Sequence, residues 1–107
     1  MNSQFKKGVL ELIVLVSVNK RDMYGYELVL EVSKVVGVGE GTIYPLLKRL
    51  TNENYFETYL QESTEGPSRK YYKITVLGKN RLKQLKETWT EFSDSVNNFI
   101  KESDAHE

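Results

Sequence analysis

Apolar residues recur at Phe5, Val9, Leu12, Ile13 and Val16, and again at Tyr24, Leu28, Val32 and Val35, with the polar break Asn19, Lys20, Arg21, Asp22 between them. Steps of three and four place each set on one face of a helix. The valines of the first run also suit a buried strand, and the spacing favours helix. Gly37 and Gly39 end the second run. A third stripe, Ile43, Leu46, Leu47 and Leu50, follows i, i+3, i+4, i+7 and is the clearest in the chain. Its opposite face carries Gly41, Pro45, Lys48 and Asn52, flanked by Tyr44 and Arg49. Pro45 fits a first helical turn, where a missing N–H has no helical partner, and this makes Thr42 the expected N-cap; a start near Glu40 predicts a bend at Pro45 instead.

Residues 55–60 and 69–75 are rich in Tyr, Phe, Thr and Ile, and the turn-forming stretch 61–68 separates them. This predicts two antiparallel strands joined by a mobile loop. Thr75 is placed to cap a last helix, whose apolar positions Leu82, Leu85, Trp89, Phe92, Val96 and Phe99 advance alternately by three and four. That is a heptad seam. After Ile100 the polar tail is expected to fray. Three helices followed by a hairpin predict an α+β, mainly α, winged helix-turn-helix with a C-terminal dimerisation helix. Residues 1–75 would form the DNA-binding domain and residues 76–107 the dimerisation helix and acidic tail.

At 107 residues the core of such a domain is thin. The first three helices need their own stripes for that core, so the heptad seam calls for a second copy of the chain, in parallel, antiparallel or crossed packing. The absence of cysteine removes disulfides, thiolate zinc sites and cysteine nucleophiles, and fits a reducing cytoplasm. The apolar stretch 9–18 is interrupted by Glu11 and Ser17 and falls short of the roughly 20 residues that span a membrane. The basic start that ends in Lys6 and Lys7 has no small-residue cleavage site after it.

An enzyme is disfavoured on the same grounds. The sole histidine, His106, stands in the tail, no glycine-rich phosphate loop is present, and the pair Glu53 and Glu57 reads as solvated surface. No histidine or cysteine cluster offers ligands to a transition metal, and no cofactor is expected. The fifteen basic and fifteen acidic residues cancel, yet their distribution is uneven. Residues 87–107 hold six acids against one base, leaving fourteen bases against nine acids in residues 1–86. The body is therefore basic and permits a polyanionic partner.

Three segments carry a specific resemblance. They are Tyr24-Gly25-Tyr26-Glu27 at the second helix, Gly41-Thr42-Ile43-Tyr44-Pro45-Leu46-Leu47-Lys48-Arg49-Leu50 at the third, and Gly66-Pro67-Ser68-Arg69-Lys70-Tyr71-Tyr72-Lys73-Ile74-Thr75-Val76-Leu77-Gly78 at the hairpin. With these motifs the chain resembles a small member of the PadR family of transcriptional regulators over about residues 8–100. The resemblance implies a homodimeric DNA-binding repressor, often relieved by a small molecule. Two positions depart from the family pattern. Asn54 stands where glycine is common, and asparagine tolerates the left-handed backbone of such a turn. Gly39 stands where serine or a similar cap is usual.

The candidate DNA-binding residues are Thr42, Tyr44, Lys48, Arg49, Arg69, Lys70 and Lys34. Lys48 projects from the polar face of the third helix toward a phosphate or a guanine edge. Thr42 is a cap, a phosphate contact or both, and Tyr44 is a phosphate donor or a cover for the core edge. Of Tyr24 and Tyr26, the spacing to Leu28 places Tyr24 inward. Arg69 and Lys70 adjoin the wing loop, where the plainer reading is an exposed edge protected by charge. With so few polar side chains on the third helix, phosphate contacts and DNA shape are expected to carry much of the specificity. On the seam, Trp89 and Phe92, with Leu85 and Val96, form dimer core or a sandwich for a planar apolar effector. A winged helix that binds protein rather than DNA is the competing reading, and salt dependence separates the two.

Overall fold

The computed structural model describes residues 3–106. Met1, Asn2 and Glu107 lie outside the described residues, as do the side chains of Ser3 to Lys6, Phe5 among them. The elements in chain order are α1 (Ser3–Lys20), β1 (Met23–Tyr24), α2 (Gly25–Ser33), α3 (Glu40–Asn52), β2 (Phe56–Ser63), β3 (Gly66–Ile74) and α4 (Val76–Ala105). The α3 stripe read from the sequence lies in the core, but the first two differ from expectation. Val9, Leu12, Ile13 and Val16 are only half-buried while Leu10, Val14, Leu15 and Val18 face the core, because α1 is apolar on several faces and its spacing does not single one out. Val35 is exposed past the end of α2. Val14, Leu15 and Val18 of α1 pack with Leu28 and Val32 of α2 and with Ile43, Leu47 and Leu50 of α3. Phe56, Tyr72 and Leu82 close it from the hairpin and from α4.

The sheet has three strands in the order β1-β3-β2, all antiparallel. β1 is too short to show alternation, so the sequence pattern does not reveal it. It pairs Met23 with Tyr72 and Tyr24 with Tyr71, which fixes the start of α2 against the hairpin. The wing also differs from expectation. Strand pairing runs on to Ser63 opposite Gly66, with an irregularity between Gln61 and Ser63. Only Thr64 and Glu65 remain as the turn, because the polar side chains of this stretch stay exposed, or half-buried at Ser63, while their backbone joins the ladder.

Thr42 is not the N-cap of α3. The helix starts at Glu40 with Gly39 in the cap position, and the Gly39 carbonyl accepts from the N–H groups of Thr42 at 3.1 Å and Ile43 at 3.2 Å. Glu40 in the first turn suits the positive end of the helix. Pro45 therefore lies inside the helix, where it leaves the Gly41 carbonyl without a helical donor. Gly41 is exposed, so water reaches that oxygen. At the C-terminal end the N–H of Asn54 bonds the Thr51 carbonyl at 3.0 Å and the N–H of Tyr55 bonds the Leu50 carbonyl at 3.0 Å. This is a Schellman closure, and it requires the left-handed backbone that Asn54 adopts at φ 66°. Asn54→Gly is expected to retain stability in urea unfolding, whereas Asn54→Ala loses about 1 kcal/mol.

Thr75 caps α4 as expected, its Oγ1 accepting from the Gly78 N–H at 3.0 Å. The tail does not fray at residue 101. Helix continues to Ala105, in keeping with the high helix propensity of Lys101, Glu102 and Ala105. Among the described residues no helix is long and apolar enough to cross a membrane.

Candidate nucleic-acid interface

The pairing of β1 with β3 brings the N-terminal end of α2 under the wing, and the packing of α3 on α2 adds Tyr44. Tyr24, Gly25, Tyr26, Tyr44, Arg69 and Lys70, floored by Tyr72, line one concavity of about 290 Å³. The first N–H groups of a helix have no intrahelical partner, so α2 presents donors here beside two cations and several phenols. Gly25 makes the close approach possible. A Cβ at this position would come within 2.6 Å of Tyr44 Cε1. The Tyr44 hydroxyl is pushed above the ordinary phenol range by burial, then by Glu40 and Tyr26, and at neutral pH it remains a donor.

Arg69 and Lys70 lie on opposite faces of β3, and each sits over a tyrosine ring. The Arg69 guanidinium carbon is 4.6 Å from the centre of the Tyr24 ring, and Lys70 Nζ is 5.8 Å from that of Tyr72. Tyr24 is thus half-buried beneath a wing cation and does not join the core. Its spacing to Leu28 misleads because it is the N-cap residue of α2 and belongs to β1. Farther across the sheet, the Tyr59 hydroxyl donates to Asp22 Oδ2 at 2.6 Å. This bond, with smaller contributions from desolvation and the Asp22 charge, pushes the Tyr59 phenol up to about 12. The unfolded value lies near 10. The contribution of this bond to stability is therefore complete below about pH 10 and is lost as pH rises toward 12. Absorbance titration at 295 nm is expected to show a tyrosine that ionises near about pH 12 and that Tyr59→Phe removes.

Of the α3 candidates, Lys48 and Thr42 are exposed, Lys48 on the polar face with Gly41, Pro45 and Asn52. Arg49 is not available in the same way. Its Nη1 bonds Glu53 at 3.1 and 3.2 Å and its Nη2 bonds Glu11 at 3.3 Å. Burial opposes its charge, but these two carboxylates outweigh burial and hold the guanidinium above its ordinary value. Lys34 is likewise apart from the group. It lies past the far end of α2, about 13 Å of helix from the concavity, bonded to Glu31 at 2.9 Å.

Two features escaped the sequence reading. Gly25 carries no side-chain signal, and only the approach of Tyr44 shows what it does. Glu11, a lone carboxylate in an apolar run, is buried and accepts from Arg49 and, at 3.0 Å, from Arg81 Nε. It ties α1 to both α3 and α4. The hydrogen bond to Glu11, opposed by burial and aided by its charge, holds Arg81 above its ordinary value. Beyond Arg81, a cleft of about 260 Å³ lies between α1 and α4, lined by Gly8, Val9, Leu12, Leu85, Trp89 and Phe92, with Thr88 at its edge. The Trp89 and Phe92 rings are tilted at 48° with centres 6.5 Å apart. Val96 stands farther along α4, 40% exposed. Among the described residues no group of three His, Cys, Asp or Glu has the geometry to hold a metal ion.

Three packed helices and a hairpin whose cations face the start of α2 and Tyr44 of α3 define a winged helix-turn-helix protein. The sequence matches the Transcriptional regulator PadR-like family over residues 14–84, and the chain belongs to that family. It is 43% identical to a PadR-like transcriptional regulator from Bacillus cereus, whose crystal structure superposes with a TM-score of 0.83 over 92% of this chain and 97% of that one. A PadR family transcription regulator from Clostridium difficile is 32% identical, with a TM-score of 0.78 over 85% and 97% of the two chains. An uncharacterised protein of Lysinibacillus sphaericus is 33% identical over 104 residues, 94% of this chain and 95% of its own. Transcriptional regulation is the function of the family.

Proposed function

We propose that this protein is a cytoplasmic homodimer that binds double-stranded DNA and represses transcription from a palindromic promoter operator. Residues 1–75 bind the duplex and residues 76–107 hold the dimer. The observation that carries the reading is the convergence of Arg69, Lys70 and Tyr44 on the residues that begin α2, in one concavity. Two cations, a neutral phenol donor and a helix N-terminus on one concave surface suit a backbone phosphate. Lys48 and Thr42 extend the contact along the exposed face of α3, with DNA shape supplying much of the specificity. Arg49 and Lys34, held by Glu11, Glu53 and Glu31, serve the scaffold.

Dimerisation follows from α4. Its 30 residues reach about 45 Å, and toward its end Phe99 is 74% and Ile100 50% exposed, a seam that a second copy buries. The α1–α4 cleft is apolar and edged by Trp89, which suits a planar apolar effector that releases the operator.

Purified protein is used to select genomic fragments, and anisotropy on the best fragment is followed from low to high salt. Each phosphate contact contributes a slope of about −0.9 in log K against log salt. A steep slope that becomes shallower by one contact each in Lys48→Ala and Lys70→Ala is expected. A nearly flat response contradicts the reading and favours a protein partner.

A further inference from the structure

Arg69 stands near the tip of a two-stranded wing, and an arginine there ordinarily samples many rotamers. Here its guanidinium lies 4.6 Å over the Tyr24 ring. Tyr24 is itself held. Its ring meets that of Tyr71 edge-on, with centres 5.6 Å apart and planes at 62°. Tyr71 in turn stacks on Tyr59 at 5.5 Å and 11°, and the Tyr59 hydroxyl is anchored on Asp22 at 2.6 Å. The strand registers enforce this row, because Tyr24 and Tyr59 both lie directly opposite Tyr71. All three rings share one face of the sheet, spanning β1, β3 and β2. The row starts at the turn after α1 and ends at the wing cation.

We propose that Tyr24 is a positioning residue for DNA binding: backed by Tyr71 and Tyr59, it holds the Arg69 guanidinium at the start of α2, where a backbone phosphate binds. This deepens the DNA-binding reading and rests on it. A cation over an aromatic face is attracted by the ring quadrupole and stays charged. Stacking over a ring face leaves the in-plane N–H groups of a guanidinium able to donate to phosphate oxygens, and Arg69 lines the concavity. Fixing the arginine before the complex forms removes part of the ordering cost from the binding step. The ring face supplies the attraction and the phenol oxygen is not required, so phenylalanine substitutes for Tyr24 and leucine does not.

The test has one arm without DNA. In the free protein, proton NMR is expected to show the Arg69 side-chain methylenes shifted upfield by the Tyr24 ring current. That shift persists in Tyr24→Phe and collapses in Tyr24→Leu, while the remaining spectrum and the melting temperature show both variants folded. The second arm measures duplex affinity and salt slope. Tyr24→Leu is expected to bind several-fold more weakly, with a shallower slope, and Tyr24→Phe to bind as the parent does. The double variant Tyr24→Leu, Arg69→Ala is expected to match Arg69→Ala alone, because both changes remove the same contact. Losses that add in the double variant overturn the proposal, as does a folded Tyr24→Leu protein with parental affinity and slope. If the parent itself fails to bind duplex, the DNA reading falls and the proposal with it, whereas an Arg69 without ring-current shift in a binding-competent parent overturns the proposal alone.

Discussion

Gly78→Ala is expected to destabilise the protein by about 3 kcal/mol, at the upper end of what overpacking costs. A Cβ here would overlap the Tyr55 carbonyl oxygen, and it would stand 2.8 Å from Ile74 Cγ1 and 3.1 Å from the Tyr55 carbonyl carbon. Neither side yields easily. The Tyr55 carbonyl accepts from the Thr75 N–H at 3.0 Å and the Thr75 hydroxyl at 3.2 Å, and the Tyr55 N–H closes the end of α3. The Thr75 hydroxyl also bonds the Asn54 carbonyl at 2.7 Å. One methyl group therefore pushes at the junction where α3, the hairpin and α4 are tied together. Thermal unfolding followed by circular dichroism should place the midpoint on the order of 10 °C lower. Gly41→Ala is the control, because a Cβ there meets nothing within 4 Å and helix propensity favours alanine by up to about 1 kcal/mol. Equal midpoints for the two variants would contradict the packing described at Gly78.

The second large effect concerns Glu11. Its side chain is 9% exposed, while those of Arg49 and Arg81 are about a third exposed. Arg81→Met leaves the carboxylate with Arg49, and Arg49→Met leaves it with Arg81. Each single change is expected to cost about 1 kcal/mol, since the remaining guanidinium still compensates the charge. The double variant strands a buried carboxylate and is expected to lose about 3 kcal/mol, more than the two singles together. Adding Glu11→Leu to the double should recover most of that loss, because an apolar group then fills an apolar site. Urea unfolding of the four variants and the parent gives the comparison. Strict additivity of the arginine changes would show that Glu11 does not couple α3 to α4.

How much of this was legible in the sequence depends on the kind of signal. Stripes such as Ile43, Leu46, Leu47 and Leu50 report burial directly, because a helix with one apolar face has one way to lie on a core. Thr75 at a helix start and Asn54 at a left-handed turn were legible as well, since few residue types meet those local demands. β1 was not, because two residues carry no period, and with it went the position of Tyr24. The start of α3 was misplaced because Gly39 caps with backbone alone and Pro45 is tolerated beside an exposed carbonyl. Within the candidate site, the charges on the wing and on α3 were readable as a list. Which of them are free was not, because the partners of Arg49 lie on α1 and four residues farther along the chain. Long-range pairing of this kind leaves no local trace beyond a single carboxylate in an apolar run.

The most direct test of the central claim is hydroxyl-radical footprinting of a fragment selected from genomic DNA, carried out with the parent and with the Lys48→Ala, Arg69→Ala, Lys70→Ala triple variant. A dimer that reads DNA through α3 and the wing protects two half-sites on one face of the duplex, with centres about 34 Å apart, and the folded triple variant protects neither. Absence of protection by the parent at low salt, or unchanged protection by the triple variant, would contradict the account.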